Sequence, residues 1–308
     1  MTFNITRDEI REAASRIAPY IRRTPILELG HLISDDYSLA LKLEHLQVTG
    51  SFKSRGAFSA MTAIDVPEAG VVAASGGNFG AAVGYAATRL GHRATIFVPE
   101  TSPEEKVNRI RSHGADVRVI PGYYDEAFTA SQEFVAESDA YSLHAYDQPA
   151  VVAGQGTIAI EIEDLAQPDE LVVAVGGGGL IAGVASWVRD DVGLIAVEPE
   201  TCRSFHAAQE AGSRVEVEVS GVAASSLGAR QVGEHAWAAR DWIDESVLVD
   251  DEAIIAAQRW IWSETRLAVE PAAATTIAAL MSGRHRPETG SHVVAVLSGA
   301  NLDPATLG

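Results

Sequence analysis

Lys53 is the residue whose type and surroundings point most directly to chemistry. It lies between Gly50 and Gly56, beside an aromatic ring and several small residues. An amine is nucleophilic near neutral pH only when its charged form is disfavoured, by loss of water or by a neighbouring cation. Phe52 would exclude water and Arg55 would supply a cation. The segment therefore makes Lys53 a candidate for a covalent bond to a carbonyl compound, with an ordinary place at a helix start as the alternative.

Four consecutive glycines at positions 176–179 form the second candidate. They follow the apolar segment 171–175 and precede the apolar segment 180–188, an order that predicts a buried strand, a turn and a helix. Glycines allow several backbone N–H groups to point into one turn, and a helix start adds partial positive charge. The turn therefore suits a phosphate group. A flexible linker and a tight turn without a ligand are the alternatives.

A serine at the end of a strand is the third candidate. The apolar segment 293–297 predicts a buried strand, and Ser298 follows it directly. In parallel α/β proteins ligands bind at the carboxyl ends of the strands, so a hydroxyl there can meet a ring nitrogen. Serine is also a common turn former, and that is the alternative reading of Ser298.

Taken together, and with the segment 74–80 (Ala-Ser-Gly-Gly-Asn-Phe-Gly), these motifs resemble one known family. The chain is similar to the fold type II pyridoxal-phosphate enzymes, specifically the serine/threonine dehydratase and serine racemase group. The resemblance extends from Arg23 to Ser298, with the motifs in the family's order. It implies an α/β fold like that of the tryptophan synthase beta chain, with two lobes that each hold a mostly parallel sheet flanked by helices. It also implies pyridoxal 5'-phosphate as the cofactor.

The resemblance implies a role for each matching residue. Lys53 corresponds to the lysine that holds the cofactor covalently, and Phe52 to the residue that packs against its ring. Asn78 corresponds to the asparagine that reaches the phenolic oxygen, and Ser298 to the partner of the pyridine nitrogen. The phosphate cup and the lining of the cofactor pocket correspond to Gly176, Gly177, Gly178, Gly179, Leu180, Gly221 and Glu270. The loop that receives the substrate carboxylate corresponds to Ser75, Gly76, Gly77 and Asn78.

The implied activity is that of an ammonia-lyase, which removes the β-hydroxyl of threonine, serine or a bulkier 3-hydroxy amino acid and yields a 2-oxo acid and ammonia. A serine beside the pyridine nitrogen need not keep it protonated, which favours elimination over long-lived carbanions. The freed amine of Lys53 is the expected base for the Cα proton. A β-replacement enzyme such as a cysteine synthase, and a binding protein for a phosphate-bearing ligand without catalysis, are the alternatives.

Three positions near the carboxylate loop depart from the family pattern, and the segment 271–274 (Pro-Ala-Ala-Ala) replaces the more usual Pro-Ser-Gly-Ala or Pro-Ala-Gly-Ala beside Glu270. Gly76 stands where serine racemase has a serine that transfers a proton, so we expect weak racemisation. Phe79 stands where the group commonly has histidine, and Ala81 where it often has glutamine. A less polar pocket wall follows, and with the missing side chain at position 76 it predicts a substrate bulkier than serine.

No metal site is predicted. Glu198 matches one carboxylate of the family's divalent-cation site, but Ser204 replaces the usual aspartate partner. A single carboxylate rarely suffices for a hard cation. The nine histidines and Cys202 show no zinc-binding spacing.

The composition of the chain limits the classes of molecule that it is expected to bind. The net charge of −19 disfavours binding to nucleic acid or to anionic membranes. The single cysteine excludes an internal disulfide, and the first residues lack a signal-peptide pattern, so a cytoplasmic location is expected. The expected partner is a small amino acid substrate, and the resemblance implies a homodimer.

The order of strand-like and helix-like segments predicts two lobes. The smaller lobe is expected over residues 46–143 and carries Lys53 and the carboxylate loop. The larger lobe, which binds the cofactor, is expected over residues 1–45 and 144–308. Thr6 and Glu9 form a capping-box pattern for a helix through Ile17, and Ser102 precedes a second helix. Strands are predicted at 39–43, 71–74, 94–98, 116–120, 171–175, 194–197, 247–249 and 293–297.

Overall fold

The computed structural model describes residues 5–303 of the chain. Strands and helices alternate along most of this range. The strands are β1 (Ile26–Gly30), β2 (Ser38–Lys42), β3 (Val71–Ala74), β4 (Ala94–Pro99), β5 (Asp116–Ile120), β6 (Tyr141–Ser142), β7 (Glu170–Ala174), β8 (Gly193–Pro199), β9 (Glu245–Val249) and β10 (His292–Val296). The helices are α1 (Arg7–Ile17), α2 (Lys53–Thr62), α3 (Asn78–Leu90), α4 (Glu104–Ser112), α5 (Tyr124–Ser138), α6 (Pro149–Leu165), α7 (Gly179–Val188), α8 (Ser204–Ala211), α9 (Ala224–Leu227), α10 (Glu234–Ala238), α11 (Asp251–Thr265) and α12 (Pro271–Met281).

The strands form two sheets. One has six strands in the order β1-β2-β10-β7-β8-β9, and its pairs are parallel except for the antiparallel pair β1 and β2. The other has four parallel strands in the order β5-β4-β3-β6. Helices flank both sheets. The prediction of an α/β fold with two mostly parallel sheets is confirmed.

Local signals located most elements well. The capping box at the start of α1 is present, with the Glu9 N–H donating to Thr6 Oγ1 at 3.2 Å and the Thr6 N–H to Glu9 Oε2 at 2.7 Å. The strands β3 and β5 begin and end where the pattern predicted. Two strands were missed. The strand β1 is an edge strand that is only partly buried, and β6 has two residues, so neither has a strong apolar pattern.

Packing of α6 on two other helices positions the candidate residues. Its Gly156 approaches α7 so closely that a Cβ there would lie 2.7 Å from the carbonyl oxygen of Gly183. Its Gly154 approaches α2 in the same way, since a Cβ would lie 2.6 Å from the carbonyl oxygen of Arg55. The helix that starts at Lys53 and the helix that follows the glycine run are therefore held against one common helix. Among residues 5–303, no helix is both long and apolar enough to span a membrane.

Candidate functional site

A short backbone contact joins the Lys53 segment to the end of β10. Ser51 and Gly299 form an isolated antiparallel bridge. The N–H of Phe52 donates to the carbonyl of Ser298 at 3.1 Å, and the N–H of Ala300 donates to the carbonyl of Gly50 at 2.9 Å. Two of the three motifs singled out in the sequence thus lie side by side, although about 245 positions separate them along the chain.

Lys53 is partly buried at the first position of α2, and its amine has one hydrogen-bond partner among residues 5–303. Its Nζ donates to the carbonyl oxygen of Ala145 at 2.9 Å and lies 5.0 Å from the ring centroid of Phe52 and 5.9 Å from that of Phe79. Burial lowers the pKa of the Lys53 amine to about 8, and the negative charge of Glu270 opposes this shift. The position of the Phe52 ring beside the amine is consistent with the prediction that Phe52 excludes water from it. A substantial neutral fraction of the amine is therefore present near pH 7 to 8.

Arg55 does not have the role predicted for it. Its guanidinium is fully buried and donates to the carboxylates of Glu44, at 2.7 and 2.8 Å, and Glu161, at 2.8 and 2.9 Å. Lys42 completes the cluster with a bond from its Nζ to Glu161 at 2.6 Å. Two cations thus face two anions, and the charge of Arg55 is neutralised there. The lowered pKa of Lys53 comes from burial and not from Arg55.

Asn78 is held by hydrogen bonds at both ends of its side-chain amide. Its Nδ2 donates to Glu270 Oε1 at 2.8 Å, and its Oδ1 accepts from Asn301 Nδ2 at 2.7 Å. Asn301 also donates to the carbonyl of Thr49 at 2.9 Å. Because an amide nitrogen has two N–H groups, one donor of Asn78 remains for a ligand. Asn301 was not assigned a role from the sequence, although it stands in the same Ser-Gly-Ala-Asn motif as Ser298.

Glu270 is a buried carboxyl group with an altered titration. Burial raises its pKa to about 7, while the hydrogen bond from Asn78 and the charges of Lys106 and Arg109 lower it in part. A Cβ on Gly299 would overlap its carboxylate, so the end of β10 packs directly on it. Glu270 can therefore change its charge near neutral pH, beside Asn78 and within the electrostatic range of the reactive amine.

The glycine run has the geometry of an anion cradle. Gly178 has φ +88°, and the run leads into the N-terminus of α7. The N–H groups of Gly176, Gly177 and Gly178 have no acceptor within residues 5–303. Side chains would also clash with the protein itself: a Cβ on Gly179 would lie 2.6 Å from the carbonyl oxygen of Tyr146. Unpaired N–H groups at a helix start fit a phosphate. Leu180 follows the run and is buried in the core of the six-stranded sheet.

Ser298 offers a further unpaired group. It is 5% exposed, and its hydroxyl has no hydrogen-bond partner in the described part of the chain. Buried polar groups normally have partners, so one without a partner beside a reactive amine suggests a ligand. The amine of Lys53 can react with an aldehyde. The open N–H groups of the glycine run can bind a phosphate, and the Ser298 hydroxyl can donate to a ring nitrogen. The residues of this site therefore fit pyridoxal 5'-phosphate.

The predicted carboxylate loop lies between β3 and α3. The N–H of Gly77 contacts Ser75 Oγ at 3.4 Å, and α3 begins at Asn78. Phe79 and Ala81 are buried in the core around the four-stranded sheet. Phe79 and Ala81 are each 2% exposed, so neither forms an exposed pocket wall, although the Phe79 ring centroid lies 5.9 Å from Lys53 Nζ.

Gly221 occupies a turn near the glycine run. It has φ +85°, and a Cβ there would overlap the hydroxyl of Thr201 and the carboxylate of Asp251. The helix α9 follows this turn, and its Leu227 backbone would lie 2.8 Å from a Cβ on Gly176. Gly221 therefore supports a helix that packs on the run, and its contact with a cofactor stays a prediction.

Glu198 and Ser204, at the position of the family's cation site, form hydrogen bonds with backbone groups of the protein. The Glu198 carboxylate accepts the N–H groups of Phe205 at 2.9 Å and His206 at 2.7 Å, and burial raises its pKa to about 8. Ser204 Oγ donates to the carbonyl oxygen of Gly176 at 3.0 Å. Glu198 thus anchors the start of α8, and Ser204 links that helix to the glycine run. Within residues 5–303, no group of three or more histidine, cysteine or acidic side chains is arranged to hold a metal.

Comparisons with known proteins point to one enzyme family. A profile described as "Pyridoxal-phosphate dependent enzyme" matches residues 17–299. The chain is 37% identical to an L-threonine ammonia-lyase of Geobacter sulfurreducens over 97% of this chain and 76% of the relative. It is 38% identical to a putative threonine dehydratase of Sinorhizobium fredii, over 97% of this chain and 93% of the relative. Among solved structures it is similar to maize serine racemase, with a TM-score of 0.92, 30% identity and coverage of 98% and 95%. It is also similar to the processed form of threonine deaminase isoform 2 from Solanum lycopersicum, with a TM-score of 0.88, 32% identity and coverage of 100% and 94%.

Proposed function

Because the chain belongs to the pyridoxal-phosphate dependent enzyme family, we propose that it is an ammonia-lyase that acts on threonine and serine. The reaction removes the Cα proton and the β-hydroxyl of the amino acid, and hydrolysis of the product gives a 2-oxo acid and ammonia. The observation that carries the proposal is the amine of Lys53, whose pKa is lowered to about 8 in a partly buried setting beside Phe52. Relatives named threonine ammonia-lyase and threonine dehydratase, 37% and 38% identical, support the substrate class.

The roles of the site residues follow from their contacts. Pyridoxal 5'-phosphate, when bound, supplies an aldehyde for the amine and a ring that accepts electrons from Cα. We propose that Lys53 holds it, that the N–H groups of 176–179 bind its phosphate, and that Ser298 donates to its ring nitrogen. One N–H of the Asn78 side-chain amide donates to Glu270, and the other is free to donate to the phenolic oxygen of the cofactor. Phe52 packs against the ring and keeps water from the amine.

Two further groups act on the substrate. The loop of Ser75, Gly76, Gly77 and Asn78 binds the carboxylate, because its N–H groups lie at the start of α3. The amine of Lys53 accepts the Cα proton once the substrate amine has taken its place. With a pKa of about 8, Lys53 is neutral often enough to act as a base and is still basic enough to hold the proton.

The test is an assay of 2-oxo acid release with a panel of 3-hydroxy amino acids that includes L-threonine, L-serine and larger analogues. We expect turnover of threonine and serine, and a loss of at least about 10⁴-fold in Lys53→Ala, since the nucleophile and base are removed together. Arg111→Ala, which removes an exposed cation whose contact is with Asn108 on its own helix at 3.1 Å, is the control for general effects of losing a positive charge. Product formation only from O-acetylserine with sulfide would favour a β-replacement enzyme instead. Protein that binds pyridoxal phosphate but turns over none of these compounds would favour a binding protein.

We also propose the lobe boundaries implied by the sequence, 46–143 for the small lobe and 1–45 with 144–308 for the large one. The four strands of the smaller sheet all fall between residues 71 and 142, which supports the division. The family resemblance supports a homodimer, and the single cysteine supports a cytoplasmic location. Sedimentation velocity and fractionation of cells test these two points separately.

A further inference from the structure

Ser102 does not have the structural role that its sequence context predicts. A serine before proline and two glutamates is a typical N-cap. In the structure α4 begins at Glu104, Pro103 is the capping position, and no side chain caps the helix. The hydroxyl of Ser102 has no hydrogen-bond partner within residues 5–303, although the residue is only partly exposed. A partly exposed hydroxyl without a protein partner is free to bind a ligand.

The same hydroxyl fills the space next to the proposed carboxylate loop. A Cβ built on Gly76 would overlap Ser102 Oγ and would lie 3.1 Å from Ser102 Cβ, and the next neighbour is Pro99 Cδ at 3.8 Å. The backbone N–H of Ser102 donates to the Pro99 carbonyl at 3.0 Å, which fixes this position. Ser102 thus places a hydroxyl where the side chain of residue 76 would be. The absent side chain at Gly76 does not enlarge the pocket, which removes one reason to expect a bulkier substrate.

Charged side chains of both signs follow Ser102 in the chain: Glu104 and Glu105 are exposed, whereas Lys106 is partly buried. Lys106 lies one turn after Ser102, is partly buried, and has no paired carboxylate in the described residues. It shares a helix face with Ile110, whose Cδ1 would be 3.0 Å from a Cβ on Gly80 in the first turn of α3. The charges of Lys106 and Arg109 also reach the Glu270 carboxylate. The face of α4 that carries Lys106 and Ile110 is therefore turned to the start of α3, where the carboxylate loop ends.

We propose that Ser102 is a substrate-binding residue whose hydroxyl donates to the carboxylate of the amino acid at the loop 75–78. This inference rests on the proposed function and adds a residue to its substrate site. A hydroxyl without a protein partner, beside open N–H groups and near the unpaired ammonium of Lys106, is suited to a carboxylate. The site then recognises the part that all 2-amino acids share, and the small space left favours threonine and serine over larger analogues.

The test compares two ligands that differ in this carboxylate. L-Alanine has no β-leaving group and so binds without elimination, and L-alaninamide replaces its carboxylate with an amide. Ser102→Ala should weaken L-alanine binding to the holoenzyme about fivefold, the equivalent of about 1 kcal/mol, and should weaken L-alaninamide binding less, because a hydrogen bond to a neutral amide oxygen is weaker than one to a carboxylate. The spectrum of the bound cofactor reports both constants. For threonine, KM should rise by a similar factor while kcat stays within about twofold.

A control variant and a double variant that moves the hydroxyl from position 102 to position 76 complete the test. Ser112→Ala removes a hydroxyl at the other end of α4, where it donates to the Arg109 carbonyl at 2.7 Å, and should change neither constant. Gly76→Ser alone should weaken L-alanine binding because it displaces Ser102, and adding Ser102→Gly should restore it, since one hydroxyl again fills the space. The thermal midpoint of each variant identifies those that fail to fold.

An unchanged L-alanine constant in folded Ser102→Ala would overturn the inference. Equal weakening of L-alanine and L-alaninamide would overturn it as well, because the effect would then not concern the carboxylate. Failure of the proposed function is a separate outcome. It would appear as an unmodified enzyme that binds L-alanine but releases no 2-oxo acid from any 3-hydroxy amino acid.

Discussion

Lys53 and Arg55 are two residues apart on the same helix, yet their surroundings are opposite. The guanidinium of Arg55 is fully buried, and all of its nitrogens donate to Glu44, Glu161 or Thr157. The amine of Lys53 has a single carbonyl partner. The first cation uses its hydrogen-bonding capacity within the protein, and the second keeps most of it for a ligand. The number of unused donors, more than burial alone, separates the structural cation from the candidate reactive one.

The two buried glutamates that face these cations differ in the same way. Arg55 and Lys42 hold the pKa of Glu44 below its usual value despite complete burial. Glu270 receives hydrogen bonds from neutral side chains and only distant positive charge, so burial raises its pKa to about 7. Glu44 therefore keeps its charge over the physiological range, while Glu270 can lose its charge there. Ion pairing keeps Glu44 charged, whereas Glu270 has no close ion pair among the described residues and can change its charge near neutral pH.

The largest effect is expected from breaking the paired region. Arg55→Leu leaves Glu44 and Glu161 with one cation between them, so the free energy of unfolding should fall by about 3 to 5 kcal/mol. Urea denaturation followed by circular dichroism measures it. Arg109→Leu is the matched control, because its pair with Glu105 at 2.9 Å lies on an exposed helix face and contributes less than about 1 kcal/mol. A fall of less than about 1 kcal/mol in Arg55→Leu would show that the cluster is not a stabilising core.

The surroundings of Lys53 should determine how its amine titrates. The rate at which the protein freed of cofactor reacts with pyridoxal phosphate should rise with pH around a midpoint of about 8, since only the neutral amine reacts. In Glu270→Gln the midpoint should move lower, because the carboxylate that stabilises the charged amine is gone. Stopped-flow absorbance gives both curves, with Lys53→Ala as the blank. A midpoint near the usual 10.5 in the unmodified protein would remove the distinction between Lys53 and an ordinary surface lysine.

His285 gives an intermediate case, in which the pairing itself depends on a proton. Its Nδ1 lies 2.6 Å from Glu245 and its Nε2 lies 2.7 Å from Glu170, so both contacts are hydrogen bonds only when both nitrogens are protonated. These carboxylates raise the pKa of His285 above its usual value, although burial opposes them. Its stabilising effect should therefore be complete below about pH 6.5, the unfolded value, and should be lost as the pH rises through the folded value.

His285→Ala tests this dependence. At pH 6 the substitution should lower the free energy of unfolding by about 1.5 to 3 kcal/mol, the range for hydrogen bonds to charged groups, and at pH 9 by clearly less. Thermal unfolding at the two pH values measures the difference. His92→Ala, which removes an imidazole without a paired carboxylate in the described chain, should show no such dependence. A loss that is equal at both pH values would mean that His285 acts only by packing.

The smallest effect concerns the support of the glycine run. Ser204→Ala removes the bond from Oγ to the Gly176 carbonyl, and the affinity for pyridoxal phosphate should fall about fivefold, or about 1 kcal/mol. Ser186→Ala is the control, because its buried hydroxyl bonds to Ala182 inside α7 at 2.7 Å, away from the run. Fluorescence titration of the protein freed of cofactor compares them. Equal losses in both variants would assign the effect to general packing of the helices.

The sequence predicted those parts of the molecule that depend on local patterns. Apolar runs located β3, β5 and most other strands, and glycines before an apolar segment located the start of α7. Lys53 stood out as a candidate because its aromatic and small neighbours are visible in the sequence, and its reactive role stays a prediction. The single hydrogen bond of its amine was not visible there, since the carbonyl of Ala145 comes from a segment about 90 residues away.

Side chains that meet across the fold escaped prediction. Arg55 was assigned to Lys53 by proximity in the chain, but Glu44 and Glu161 are nearer in space and take its charge. Asn301 orients the Asn78 amide from 223 positions away. Ser102 looked like a helix cap because the local sequence favours one, and only the folded chain shows its hydroxyl beside the glycine at position 76. In each case the pairing is set by tertiary contacts, which a single sequence does not encode locally.

The bridge between Ser51 and Gly299 has a consequence for how the protein is made. The lysine is synthesised early, while the strand end that positions it leaves the ribosome about 245 residues later. A nascent chain therefore holds an amine without the hydroxyl and backbone partners that complete the cofactor site. The complete cofactor site can therefore form only after translation has passed Gly299.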